Sequence, residues 1–232
     1  MFTGDKKLIC SPEGKFRVLM MSDIQECADY NEKSLRSVSA LLDAAKPDLV
    51  ILGGDNCDGQ KVHNYNELKA FLDIFTAPMI KRGIPWAHVY GNHDHDAKVD
   101  ISLQQELYES YPFCVSGHTD DSVHGKSNFV LPIYDHKGEN VIFNVWGLDT
   151  NNTIDGLDGL VPSGNMNDEA RLDNNICQIG DWEGLWFDQL MWYWNTSCAI
   201  EKKHGRKIPG LMCMHGAPWN IKWRTKTPNS AC

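Results

Sequence analysis

A chain of 232 residues with an apolar share of 42 % and a charged share of 23 % has an ordinary globular composition, so disordered and membrane classes recede. There is no run of about 18 apolar residues to cross a bilayer, and the N-terminus, Met1 to Lys7, lacks the apolar stretch and cleavage site of a secretory signal. A net charge of −9 disfavours nucleic acid or an anionic membrane as partner, although bound cations can reverse the field inside a site.

The expectation is therefore a soluble, cytoplasmic protein. Its oligomeric state is not legible. Eight cysteines lie far apart without a Cys-x-x-Cys pair, which argues against zinc ribbons and thioredoxin-like chemistry and for mostly reduced thiols.

In chain order, residues 16–21 read as a buried strand. Residues 31–46 carry Leu35, Val38, Leu41, Leu42 and Ala45 at helical spacing, and Pro47 ends that helix. Residues 49–52 form a second strand, followed by a glycine-rich turn. A helix bearing Leu68, Phe71, Leu72 and Phe75 comes next, and residues 86–90 make a third strand. Ser102 with Gln105 resembles a capping box that opens a short helix to about Ser110.

Residues 128–133 and 140–146 are β runs joined by a polar turn, the pattern of a hairpin. Residues 149–181 lack periodicity and read as a long loop: a lid, a binding loop or a mobile segment. Asp181 is placed as the cap of a helix carrying Trp182, Leu185, Trp186, Leu190 and Trp194. Residues 208–214 read as a last strand. Alternating strands and helices in the first half predict an α/β protein.

One regularity organises the chemistry. Asp23 follows the first strand, Asp55 the second, Asn92 and His93 the third, and His215 the last. Loops beyond strand carboxyl ends converge on one crevice in open α/β sheets. Carboxylate, amide oxygen and imidazole form a mixed oxygen and nitrogen set suited to Mn²⁺, Fe, Zn²⁺ or Mg²⁺.

Ser22-Asp-Ile-Gln25, Gly53-Gly-Asp-Asn56, Gly91-Asn-His-Asp94 and Met214-His215 resemble, in order and spacing, four of the five signature blocks of the calcineurin-like metallophosphoesterases. Gly125-Lys-Ser-Asn128, Leu148-Asp-Thr150 and Gln189-Leu-Met-Trp192 are similar to the branch near purple acid phosphatases and Dcr2-type phosphatases. The resemblance implies a mixed α/β sandwich, two β-sheets packed face to face and flanked by helices, as a single domain over residues 1–232.

It also implies a dinuclear site for two divalent ions, manganese favoured. Asp23 and Gln25 would serve the first ion, Asp55 would bridge, and Asn92 and His215 would hold the second. Two cations about 3.5–4 Å apart can clamp a phosphate and generate a hydroxide at neutral pH. His93 would protonate the leaving group, with Asp94 fixing its orientation.

The implied activity is hydrolysis of phosphate monoesters on a phosphorylated small molecule or phosphoprotein. The alternatives are a phosphodiesterase, or a catalytically impaired binding module.

Two departures from the family pattern stand out. Gln25 replaces a histidine, and both a weak ligand and a non-ligating hydrogen-bond donor remain open for it. A Gly-His-x-His block is absent after His215, so the chain is expected to be C-terminally incomplete. His95, His118 and His124 read as polar loop residues, and the tryptophans at 182, 186, 192 and 194 as core. The loops of Cys27 and Cys57 are expected to approach one another.

Overall fold

The computed structural model describes residues 7–117, 120, 122–151 and 184–216. Strands β2 (Val18–Met21), β3 (Leu49–Gly53) and β4 (Trp86–Val89) form a parallel sheet with β3 central. The second sheet has the order β1 (Leu8–Ile9), β5 (Phe129–Tyr134), β6 (Val141–Gly147) and β7 (Gly210–Cys213). The expected hairpin is the antiparallel β5–β6 pair, and β1 and β7 add to it in parallel.

The two sheets meet face to face, and alternation along the strands shows why. Leu49, Ile51, Ala87 and Val89 pack with Leu131, Ile133 and Val145 of the other sheet in one cluster. Val50, Leu52, Trp86 and Tyr90 point the opposite way, into a second cluster with the helices. A strand buried on both faces reads as a continuous apolar run, as residues 49–52 do.

Helices α1 (Glu32–Ala45) and α2 (Tyr65–Lys81) cover the parallel sheet, burying Val38, Leu42, Leu68, Phe71, Leu72 and Phe75. Each such side chain contributes about 1.5–3 kcal/mol when fully removed from water. The Asn31 side chain caps α1 by accepting from the Lys33 amide, and left-handed Lys46 ends it before Pro47.

A one-turn helix α3 (Asn92–His95) follows β4, and α4 (Ile101–Ser110) packs beside α2. The N-cap of α4 is Asp100, whose carboxylate accepts from the Ser102 amide. The expected Ser102 cap is therefore displaced by two residues.

The last helix, α5 (Phe187–His204), starts at Trp186, while the cap expected at Asp181 lies outside the described residues. Its tryptophans depart from the core reading. Trp194 is 62 % exposed, and Trp192 sits edge-on to Trp146. Trp186 stacks on His124, and Trp182 is not described.

Strand β1 carries no readable signal, because two residues give no period. It pairs with Ile133 and Tyr134 and stops short of Pro132, which has no amide hydrogen to offer a neighbour. Among the described residues no helix is long and apolar enough to cross a membrane.

Candidate metal centre

The loops after β2 and β3 continue the pairing of their strands. The Asp23 amide donates to Gly54 O (3.1 Å), the Gln25 amide to Asp55 O (3.0 Å) and the Asp58 amide to Glu26 O (2.8 Å). This brings Asp23, Gln25 and Asp55 to one place. All three have left-handed backbones, with φ of 58°, 47° and 50°. That conformation costs a non-glycine residue roughly 1–2 kcal/mol. Such strain persists where the surroundings over-determine the backbone, and it clusters at functional sites.

Oxygens of Asp23 and Asp55 and a ring nitrogen of His215 lie within 4.8 Å of one another. His215 Nδ1 donates to Gly53 O (3.0 Å), which fixes the tautomer and directs Nε2 at Asp55 Oδ2, 3.4 Å away. A ring lone pair facing a carboxylate oxygen calls for a cation between them, and a backbone carbonyl behind the ring is the usual support of a metal-ligating histidine. The donor set therefore fits a divalent ion.

The Asp55 carboxylate is 2 % exposed and doubly held. Gln25 Nε2 donates to Oδ2 (3.0 Å), and the His93 amide donates to Oδ1 (2.9 Å). Gln25 thus presents its amide nitrogen to Asp55. Ser22 Oγ donates to Asp23 Oδ2 (2.5 Å).

Two glycines of the motifs have steric work. A Cβ on Gly54, whose φ is +93°, would lie 2.6 Å from the His215 ring. A Cβ on Gly91 would overlap Asp55. The loops can approach only because neither has a side chain there.

Asn92 opens α3 half-buried, between Gly91 and the His93 amide that reaches Asp55. The next carboxylate, Asp94, was expected to orient the His93 ring, and its contacts correct that expectation. It is fully buried and accepts from the amides of Asn56 (3.0 Å), Cys57 (3.0 Å) and Gly91 (2.9 Å). It therefore ties the β3 loop to the β4 loop. Burial pushes its carboxyl upward, against the pull of those amides.

The ring of His93 pairs with Asp96 instead, Nδ1 to Oδ2 at 2.8 Å. That bond, more than any other effect, raises the His93 pKa. Asp96 escaped the sequence reading, although i,i+3 spacing on a helical turn was the available signal.

The three branch motifs without an assigned chemistry meet in one buried knot. Asn128 Oδ1 accepts from the Asp149 amide (3.1 Å) and from Gln189 Nε2 (2.9 Å). Gln189 Nε2 also donates to Asp149 O (2.7 Å). Thr150 Oγ1 then accepts from the amide of Gly216 (2.9 Å), next to His215. So the knot anchors the loop that carries the imidazole.

Near it, His124 lies parallel to Trp186 at 3.8 Å and pairs with Asp188 (2.6 Å). That gives His124 a fixed place in the fold. His118 is outside the described residues. His95, read as solvated, keeps a buried Nε2 without a partner.

The cysteine loops do approach, through a bridge between Glu26 and Cys57. Cys57 is buried and its thiol is pushed far up, chiefly by burial, so it is a poor nucleophile. The six described cysteines are free.

A model of the calcineurin-like phosphoesterase family matches residues 16–208, a span that contains Asp23, Asp55 and the Gly91–Asp94 block. The chain is 29 % identical over 158 residues to Phosphatase DCR2 of Saccharomyces cerevisiae, covering 60 % of this chain and 27 % of that protein. It is 25 % identical over 244 residues to Probable inactive purple acid phosphatase 14 of Arabidopsis thaliana, covering 91 % and 56 %. Probable inactive purple acid phosphatase 29 of the same plant is 31 % identical over 110 residues, covering 40 % and 27 %. The chain thus spans between 27 % and 56 % of the length of these relatives. With most of its length inside the family match, and with the strand-end loops gathered as described, the chain belongs to the calcineurin-like phosphoesterase family.

Proposed function

We propose that the chain hydrolyses phosphate monoesters with the help of divalent cations held by Asp23, Asp55, Asn92 and His215. The observation that carries this reading is the His215 imidazole, fixed by Gly53 O so that Nε2 faces the Asp55 carboxylate beside Asp23. Two bound cations would neutralise phosphate charge and lower the pKa of a water molecule. Manganese suits the mixed oxygen and nitrogen donors.

The residues of the chain have separable tasks. Asp55, held at both oxygens, is the ligand able to serve two ions. His93 holds a proton for the departing alkoxide. Its Nδ1 is engaged by Asp96, so Nε2 is the atom that gives the proton. Asp94 keeps the two ligand loops together. The substrate is a phosphorylated small molecule or a phosphoprotein, in keeping with the phosphatase named among the relatives.

A second reading, a binding module with impaired chemistry, has its own support. Gln25 offers an amide nitrogen toward Asp55, and two of the relatives carry the word inactive in their names.

Hydrolysis of p-nitrophenyl phosphate and of bis(p-nitrophenyl) phosphate, with and without added Mn²⁺, separates the readings. Mn²⁺-dependent turnover faster on the monoester is expected. Preference for the diester would make the protein a phosphodiesterase. Metal binding without turnover on either would favour the module.

A further inference from the structure

Helix α5 lies against the outer face of the β5–β6 pair, yet it packs there loosely. Gln189 is its one buried residue among those described, and Trp192, Thr196 and Ile200 on the sheet-facing side are half-buried. Between helix and sheet is a cavity of about 560 Å³, bounded below by Val130, Pro132 and Tyr134. That volume falls in the range of small-molecule sites. It shares no residue with the metal ligands.

One wall group marks the cavity as more than a packing fault. Asn144 lines it, is 2 % exposed, and its side-chain carbonyl accepts no hydrogen bond. An orphaned buried acceptor costs roughly 1–3 kcal/mol, and a native fold rarely keeps one without a reason.

The lining of the cavity is charged in places. Lys203 and His204 stand with Tyr134 and Val141 at one end, and Arg206 donates to Val141 O there (3.0 Å). Asp120 also lines the cavity, with its carboxylate accepting from Ser122.

We infer that the cavity under α5 binds a small anionic amphiphile. Its apolar body lies between Trp192, Ile200 and the strand residues Val130 and Pro132. An N–H or O–H of the ligand donates to Asn144 Oδ1, and its anionic group sits at the Lys203–His204 end. The site is separate from the phosphoesterase centre and stands whether or not the chain hydrolyses phosphate.

The compound 1-anilinonaphthalene-8-sulfonate has these three features: fused rings, an aniline N–H and a sulfonate. A fluorescence titration of the protein with it should show one saturable site. Thr196→Trp, which fills the cavity, should abolish that site while Mn²⁺ binding is kept. Asn144→Leu keeps the volume and removes the acceptor. It should weaken binding about tenfold, the worth of one hydrogen bond, and raise the Tm of the unliganded protein. Lys203→Glu should weaken binding more at low salt than at high salt.

If Thr196→Trp fails to fold, Asn144→Leu and Lys203→Glu decide. The inference is overturned if the unaltered protein shows no saturable site, or if Asn144→Leu and Lys203→Glu both bind as it does.

Discussion

At the scale of single residues, side chains divide into those that offer atoms to a ligand and those that hold the offering residues in place. In the proposed reading Asp55 does the first and Asp94 the second, although both are acidic residues that follow a strand. Both are buried, and their partners separate them: Asp94 spends its oxygens on three loop amides, whereas Asp55 faces His215.

The types and order of Asp23, Asp55, Asn92 and His215 were readable, because each lies two or three residues beyond a strand. The partner of His93 was not, since Asp94 and Asp96 are both near in sequence and only the turn of α3 chooses between them. His93→Ala should lower kcat by about 10²–10⁴-fold on phenyl phosphate, and less on p-nitrophenyl phosphate, whose leaving group needs no proton. Asp96→Asn should show the same substrate pattern with a smaller loss. Steady-state kinetics on both esters checks this, and equal losses on both would remove the proton-donor role.

At the scale of elements, legibility followed length and period. Helices α1 and α2 repeat their apolar faces over several turns, and β3 is a continuous apolar run, so all three were plain. The α5 helix was located, but its faces were misjudged. Its first turns carry Leu190, Met191, Trp192, Tyr193 and Trp194 on every side, and a chain cannot say which aromatic side meets the sheet.

Strand β4 carries a cost that its apolar run conceals. His88 is fully buried, with Nε2 donating to Gln105 Oε1 (3.0 Å) and Nδ1 2.8 Å from Ser116 Oγ. Burial holds its pKa down to about 3. The unfolded chain takes up that proton near pH 6.5. Between pH 6.5 and about 3 the unfolded state therefore binds one more proton at this residue, and stability falls as the pH drops through that window.

The contribution is about 1 kcal/mol per pH unit. His88→Gln should flatten the acid limb by that amount relative to the unaltered protein. Urea unfolding at pH 7, 6 and 5 measures it. Parallel slopes for the two proteins would show that His88 is not kept neutral.

At the scale of the whole molecule, the sandwich brings strand-end loops of both sheets together. Asp23 and Asp55 belong to the parallel sheet, and His215 follows the last strand of the other sheet. The site therefore forms only when the two sheets are packed. The knot of Asn128, Asp149 and Gln189 fixes that relation from the side of the mixed sheet, and it was legible as motifs without a role. Its role needed three segments, up to 61 residues apart, to be seen together.

Gln189→Leu removes buried hydrogen bonds to Asn128 and Asp149, and should destabilise the protein by about 1–3 kcal/mol. Chemical denaturation checks the loss, and a change within error would mean that the knot is not structural.

The central claim is that strand-end loops from both sheets build a metal centre around Asp55. Calorimetric titration of the metal-free protein with Mn²⁺, beside the Asp55→Ala variant at matched folded fraction, tests it most directly. Saturable binding by the unaltered protein and none by Asp55→Ala is the predicted result. Equal affinity and stoichiometry in the two proteins would contradict it.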